Sequence, residues 1–173
     1  MTPFPKIQTV GLNGILISFA DTMSEPANRA ALSFRAAIDV ADWPEVSETS
    51  TSLVSTFLQV DLVTQPLDAM LTRLHDLLDT QDWYTASLPA GRTLWHIPTV
   101  YGTDLAPQLE EAAELAGLDP DAAISQLSQA RVRVLTIGFA PGQPYMGELP
   151  KNWDIPRQQA LTKSVPAGAL IVA

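Results

Sequence analysis

Apolar positions recur along this chain with two different periods. Ile15, Leu16, Ile17, Ser18 and Phe19 form a short branched run that ends at Asp21, and Gly11 and Gly14 punctuate its approach from Thr9, which predicts a strand. Ala27, Ala31, Phe34 and Ile38 then repeat at helical spacing. Ser24 is placed to cap that helix, Pro26 is tolerated in its first turn, and Trp43 with Pro44 ends it. Thr51 to Val60 is rich in β-branched and aromatic residues and predicts one strand or a hairpin. From Pro66 onward, Leu67, Met70, Leu71, Leu74, Leu77 and Leu78 draw an amphipathic helix.

Thr85 to Gly91, with Ser87 and Pro89, breaks the periodicity and reads as a linker, so residues 1–87 are expected to form a small α+β domain and residues 88–173 a second one. Leu94 to Tyr101 predicts a strand. Asp104 is expected to cap a helix in which Leu105, Leu109, Ala112 and Ala116 share a face, with Gly117 as its stop. Asp119, Pro120 and Asp121 open a short helix through Leu127. Arg131 to Phe139 predicts a strand, Ala140 to Lys163 a long loop, and Ala169 to Val172 is an apolar run.

Charge sharpens this division. The net charge is −9, but residues 1–130 carry 17 acids and 5 bases, whereas residues 131–173 carry 2 acids and 5 bases. An acidic bulk disfavours a general nucleic-acid binder. With 46% hydrophobic and 17% charged residues, there is enough apolar surface for a core. No cysteine is present, which excludes disulfides, thiolate metal sites and a cysteine nucleophile. No window approaches the length of apolar chain that a membrane-spanning helix needs. Ile7 to Ala20 only loosely imitates a signal peptide, and the expectation is a cytoplasmic protein.

Candidate chemistry is sparse. Neither phosphate-binding glycine motif appears, nor a nucleophile elbow, nor a zinc-protease helix. His75 falls among polar residues on its helix and is expected at the surface. His96 alternates with Trp95 and Ile97 and is expected to be structural, while Glu110, Glu111 and Glu114 read as a solvated helix face. The unusual text is GFAPGQPYMGELP from Gly138 to Pro150, followed by Ile155-Pro156-Arg157 and by Val165, Pro166, Ala167 and Gly168. Glycines there permit close backbone approach to a ligand, and prolines stiffen the chain. Arg157 offers a planar fork for phosphate or carboxylate, and Lys151 and Lys163 add positive potential. A ligand loop and a proline-stiffened structural loop both fit this text.

The segment resembles the family of the 5-oxoprolinase B subunit, also called allophanate hydrolase subunit 1, which includes the sporulation-kinase inhibitor. That family's text is close to G-F-x-P-G-F-P-Y-L-G-x-L-P, then x-P-R, then V-P-A-G-S-V. Upstream, Ile97, Pro98, Tyr101, Gly102, Asp104 and Leu105 match its I-P-V-x-Y-G and D-L. The resemblance implies a small α+β domain followed by a cyclophilin-like β-barrel with flanking helices, left incomplete because the chain is short for the family.

It also implies an ATP-dependent hydrolase subunit that acts with a homologous second subunit to activate 5-oxoproline by phosphorylation. ATP, with Mg²⁺ in the complex, is the implied cofactor, and the implied catalytic residues are Arg157 and Tyr145. Gly138, Phe139, Pro141, Gly142, Pro144, Gly147 and Lys163 are the implied substrate- or nucleotide-binding set. Leu127 stands where the family usually has His, Gln143 where it has Phe, and Leu161 and Thr162 where it has a second Pro-Arg. A non-catalytic protein-binding module resembling the kinase inhibitor is the alternative.

Overall fold

A computed structural model describes residues 4–138, 142–159, 165 and 167–172. The chain is α+β, and neither of its sheets closes on itself. It divides into two compact units, Met1–Thr93 with Val134–Met146, and Leu94–Arg133 with Gly147–Ala173.

In the first unit, strands β1 (Lys6–Thr9), β2 (Gly14–Ser18), β3 (Val46–Ser52) and β4 (Ser55–Val60) form an antiparallel sheet in the order β1-β2-β4-β3. The branched run read from sequence is β2. Its pairing with β4 sets Ile15 opposite Leu58 and Ile17 opposite Thr56, so one face carries a continuous buried patch. Against that patch lies helix α1 (Glu25–Ala41), whose N-cap Ser24 accepts from the Ala27 amide as its position predicts. Ala27, Ala30 and Ala31 let the helix approach the sheet closely, and Phe34 and Ile38 fill the core beside them. The helix stops at Asp42, which adopts φ 46° and returns its amide to Ile38 O.

Two further features hold this unit. The buried Thr56 hydroxyl donates to Ala31 O at 2.8 Å, so this polar side chain on the buried sheet face is satisfied by the helix it meets. Helix α2 (Leu67–Leu78) buries Met70, Leu74 and Leu78 and leads into a 3₁₀ turn, Trp83–Thr85. There the Trp83 indole donates to Leu78 O at 3.0 Å and the Tyr84 hydroxyl to Phe19 O at 2.7 Å.

Two carboxylates sit below their ordinary range. Glu45 is lowered first by a backbone hydrogen bond and then by Arg73, which bonds it at 2.9 Å and lies over the Trp43 ring. Asp61 is lowered by Thr64 and the Val63 amide, which it accepts in the turn before α2. Because the folded values lie below the unfolded ones, this stabilisation is present above about pH 4.5 and is lost as pH falls through the folded values. Asp61 is exposed and Glu45 is only partly buried, so the effect is modest. Thermal unfolding of wild type and Glu45→Gln should differ at pH 7 and converge as pH falls through the lowered folded value; a constant gap would exclude Glu45 as its source.

The second unit is built from helices α3 (Leu109–Leu115) and α4 (Pro120–Gln129) and a 3₁₀ turn, Lys151–Trp153. Gly117, at φ 70°, ends α3 in a Schellman motif: its amide bonds Glu114 O and the Leu118 amide bonds Ala113 O. Asp119 then caps α4 by accepting from Ala122 N at 2.8 Å. Ala113, Ala116, Ala123 and Trp153 make a small core, with Leu127, Leu149 and Ile155 packed around it.

Three expectations are corrected. Residues 94–101 form no strand, and Leu94, Trp95, Ile97 and Val100 are exposed; strand formation needs a ladder partner, and none of the described residues provides one. His96 is accordingly exposed and not part of a packed strand. Helix α3 begins at Leu109 and not after Asp104, because Pro107 disfavours helical geometry at Ala106; the Thr103 side chain accepts from the Leu105 amide instead. The long loop expected after Ala140 contains strand β6 (Gln143–Gly147), paired with β5 (Arg133–Gly138). Pro144 is tolerated there because a two-stranded sheet leaves one side of each strand unpaired.

Candidate functional site

The implied site residues fall on two kinds of backbone. Gly138 closes β5, and Pro144, Tyr145 and Gly147 lie on β6. The connection 139–142 is too short for a parallel crossover, so the pair is an antiparallel hairpin. Phe139, Pro141 and Lys163 lie outside the described residues.

Within the hairpin the structure brings Tyr145 and Gly138 together. A Cβ placed on Gly138 would stand 3.0 Å from Tyr145 Cε2 and 3.3 Å from Cδ2, so the ring covers the bare glycine backbone. One edge of that ring remains accessible, the residue being 45% exposed. Gly142 lies in the turn at φ 80°, a conformation that favours glycine, with nothing within 4 Å of a Cβ placed there. Gly142 thus leaves its own backbone uncovered by any described side chain.

Arg157 belongs to the second unit, and its position is prepared by its predecessors. Trp153 is buried in the small core and donates its indole N–H to Gln126 Oε1 at 3.0 Å; Asn152 donates to the same oxygen at 3.1 Å. Ile155 packs on that core and Pro156 fixes the backbone φ before the arginine. Arg157 itself is exposed and makes no ion pair among the described residues. Its exposed guanidinium is thus accessible to an anion, while the chain before it is held. Gln126 and Trp153 were not singled out by sequence reading; the polar side chain in an otherwise apolar α4 face is the only signal that marked them.

Elsewhere in the first unit there is an open cleft of about 300 Å³ lined by Phe4, Phe19, His75, Asp82, Trp83 and Tyr84 among others. His75 is exposed at its edge, as expected. The Tyr84 hydroxyl is pushed up first by burial and then by the Asp82 charge, and its proton already serves Phe19 O. None of the implied site residues lines this cleft. Among the described residues no group of three or more His, Asp or Glu side chains is arranged to hold a metal ion, and no helix is long and apolar enough to cross a membrane.

Comparison with known proteins identifies the relatives. The protein named as the B subunit of 5-oxoprolinase in Bacillus subtilis (strain 168) is 25% identical over 184 residues, covering 100% of this chain and 75% of that protein. A protein of the same name in Haemophilus influenzae is 35% identical over 74 residues, covering 43% of this chain and 35% of its own length. The crystal structure of TTHA0988 superposes with a TM-score of 0.57 at 26% identity over 80% of this chain, which spans only 25% of that one. The carboxyltransferase domain, subdomain C and D, matches residues 5–173. With almost the whole length matched, the chain belongs to the carboxyltransferase-domain family, subdomain C and D.

Proposed function

We propose that this chain is a subunit of an ATP-dependent lactam hydrolase of the 5-oxoprolinase type, working in the cytoplasm with a homologous second subunit. The observation that carries this reading is the likeness, over the whole of this chain, to a protein named as the B subunit of 5-oxoprolinase. The chemistry asks for what the motif residues offer. Amide resonance makes a lactam carbonyl a poor electrophile, and moving a phosphoryl group onto its oxygen removes that protection. The charge that develops on the phosphoryl oxygens needs cations and backbone donors fixed in advance. In this reading Arg157 of the second unit is a candidate cation, and, taken separately, Gly142 and Tyr145 of the first unit are candidate contacts to the substrate.

The test is reconstitution. Purified chain and the candidate second subunit should form a stable complex that hydrolyses ATP only when 5-oxoproline is present, with one ADP released per ring opened. Absence of a complex, or ATP hydrolysis indifferent to the lactam, would overturn the proposal.

A further inference from the structure

Among the described residues of the first unit three polar side chains are buried, and two of them have plain tasks. Thr56 bonds Ala31 O, and the Ser33 hydroxyl donates to Ser87 O at 2.9 Å. Asn28 differs. It is 1% exposed on the first turn of α1, and its Nδ2 donates to carbonyls of two separate elements. One is Leu53 O, in the β3–β4 turn, where Leu53 adopts φ 51°; the other, at 3.4 Å, is Leu135 O in β5. Two carbonyl acceptors on one side require the amide nitrogen there, which fixes how the group is turned. Its Oδ1 is then buried with no partner among the described residues. Leaving a buried acceptor unpaired is unfavourable, and an apolar residue of similar shape would avoid it. The donor side must therefore do something that packing cannot.

What it holds is a hairpin whose described side chains from 134 to 146 lie outside the apolar core. A lone two-stranded hairpin is marginal in water. No described residue of 134–146 belongs to the hydrophobic core of the first unit or to the apolar side chains packed on it. We propose that Asn28 is a positioning residue that clips the β5–β6 hairpin, with Gly138 and Tyr145, to helix α1. The clip stands on geometry; its bearing on catalysis rests on the oxoprolinase reading above.

Two variants of the full chain test it. Asn28→Asp keeps the shape and replaces the donor with an acceptor, while Asn28→Leu keeps the volume and removes both donor and unpaired acceptor. Amide hydrogen exchange in β5 and β6 should quicken about tenfold or more in both variants, with β2 and β4 unchanged. If Asn28→Asp does not fold, the leucine variant decides alone. Unchanged exchange in the hairpin, or exchange rising in step with β2 and β4, would overturn the clip. In the reconstituted complex, Asn28→Leu should lower kcat/KM for lactam-dependent ATP hydrolysis by a similar factor. Quickened exchange with normal turnover would keep the clip and remove the hairpin from the site. An inactive wild-type complex would sink the oxoprolinase reading and leave the exchange result standing.

Discussion

Phe34→Ala should destabilise the first unit by about 3–5 kcal/mol, the range for truncating a fully buried phenylalanine. The ring is 0% exposed and meets Phe19 edge-on at 5.6 Å and Trp83 at 5.1 Å. It is therefore the contact through which α1, the sheet and the Trp83 turn share one core, and three elements cannot all relax into the same void. Phe34→Leu, which leaves most of the volume filled, should cost distinctly less. Urea unfolding followed by circular dichroism measures both, with an unchanged m-value showing that the denatured state is not the cause. A loss below about 1 kcal/mol for the alanine variant would mean that the site collapses or that the rings do not pack.

The first unit was legible because its signals are local. Ile15 and Ile17 alternate, Ala27 to Ile38 repeat at helical spacing, and Ser24 and Pro26 mark a start that the backbone then uses. Gly117 and Asp119 are equally local, since each acts on its own helix end. Leu94 to Tyr101 went the other way. It is rich in apolar and β-branched residues as β2 is, but a strand is a property of two segments, and no described segment pairs with it. The same non-locality hid β6, whose proline and glycine read as loop until β5 is placed beside it.

For the candidate site the motif text marked which residues to watch and said little about how they are held. That Tyr145 covers Gly138 depends on cross-strand register, which no spacing within GFAPGQPYMGELP encodes. Asn28 lies 107 residues from the strand it bonds and resembles any polar residue near a helix start. The anchoring of Trp153 by Gln126 likewise joins a helix to a turn beyond the hairpin. The motif residues were readable; the residues that hold them in place were not.

Arg157→Ala should reduce 5-oxoproline-dependent ATP turnover of the reconstituted complex by about 10²–10³-fold, the usual consequence of removing one preorganised donor from a transition-state anion. Folding should be untouched. The side chain is exposed and forms no ion pair among the described residues, and the segment before it is held by Trp153, Asn152 and Ile155. Slow exchange of the Trp153 indole N–H in the variant verifies that the anchor survives. Arg157→Lys separates charge from shape: an ammonium restores positive potential but not the two parallel N–H bonds of the guanidinium. If Arg157 grips a phosphoryl or carboxylate group with both arms, the lysine variant should remain well below wild type and recover only part of the loss. Full recovery with lysine would reduce the role of Arg157 to general electrostatics. Normal turnover by the alanine variant would remove Arg157 from the site altogether, and the cation the chemistry requires would then have to come from another residue, such as Lys151 or Lys163, or from the second subunit.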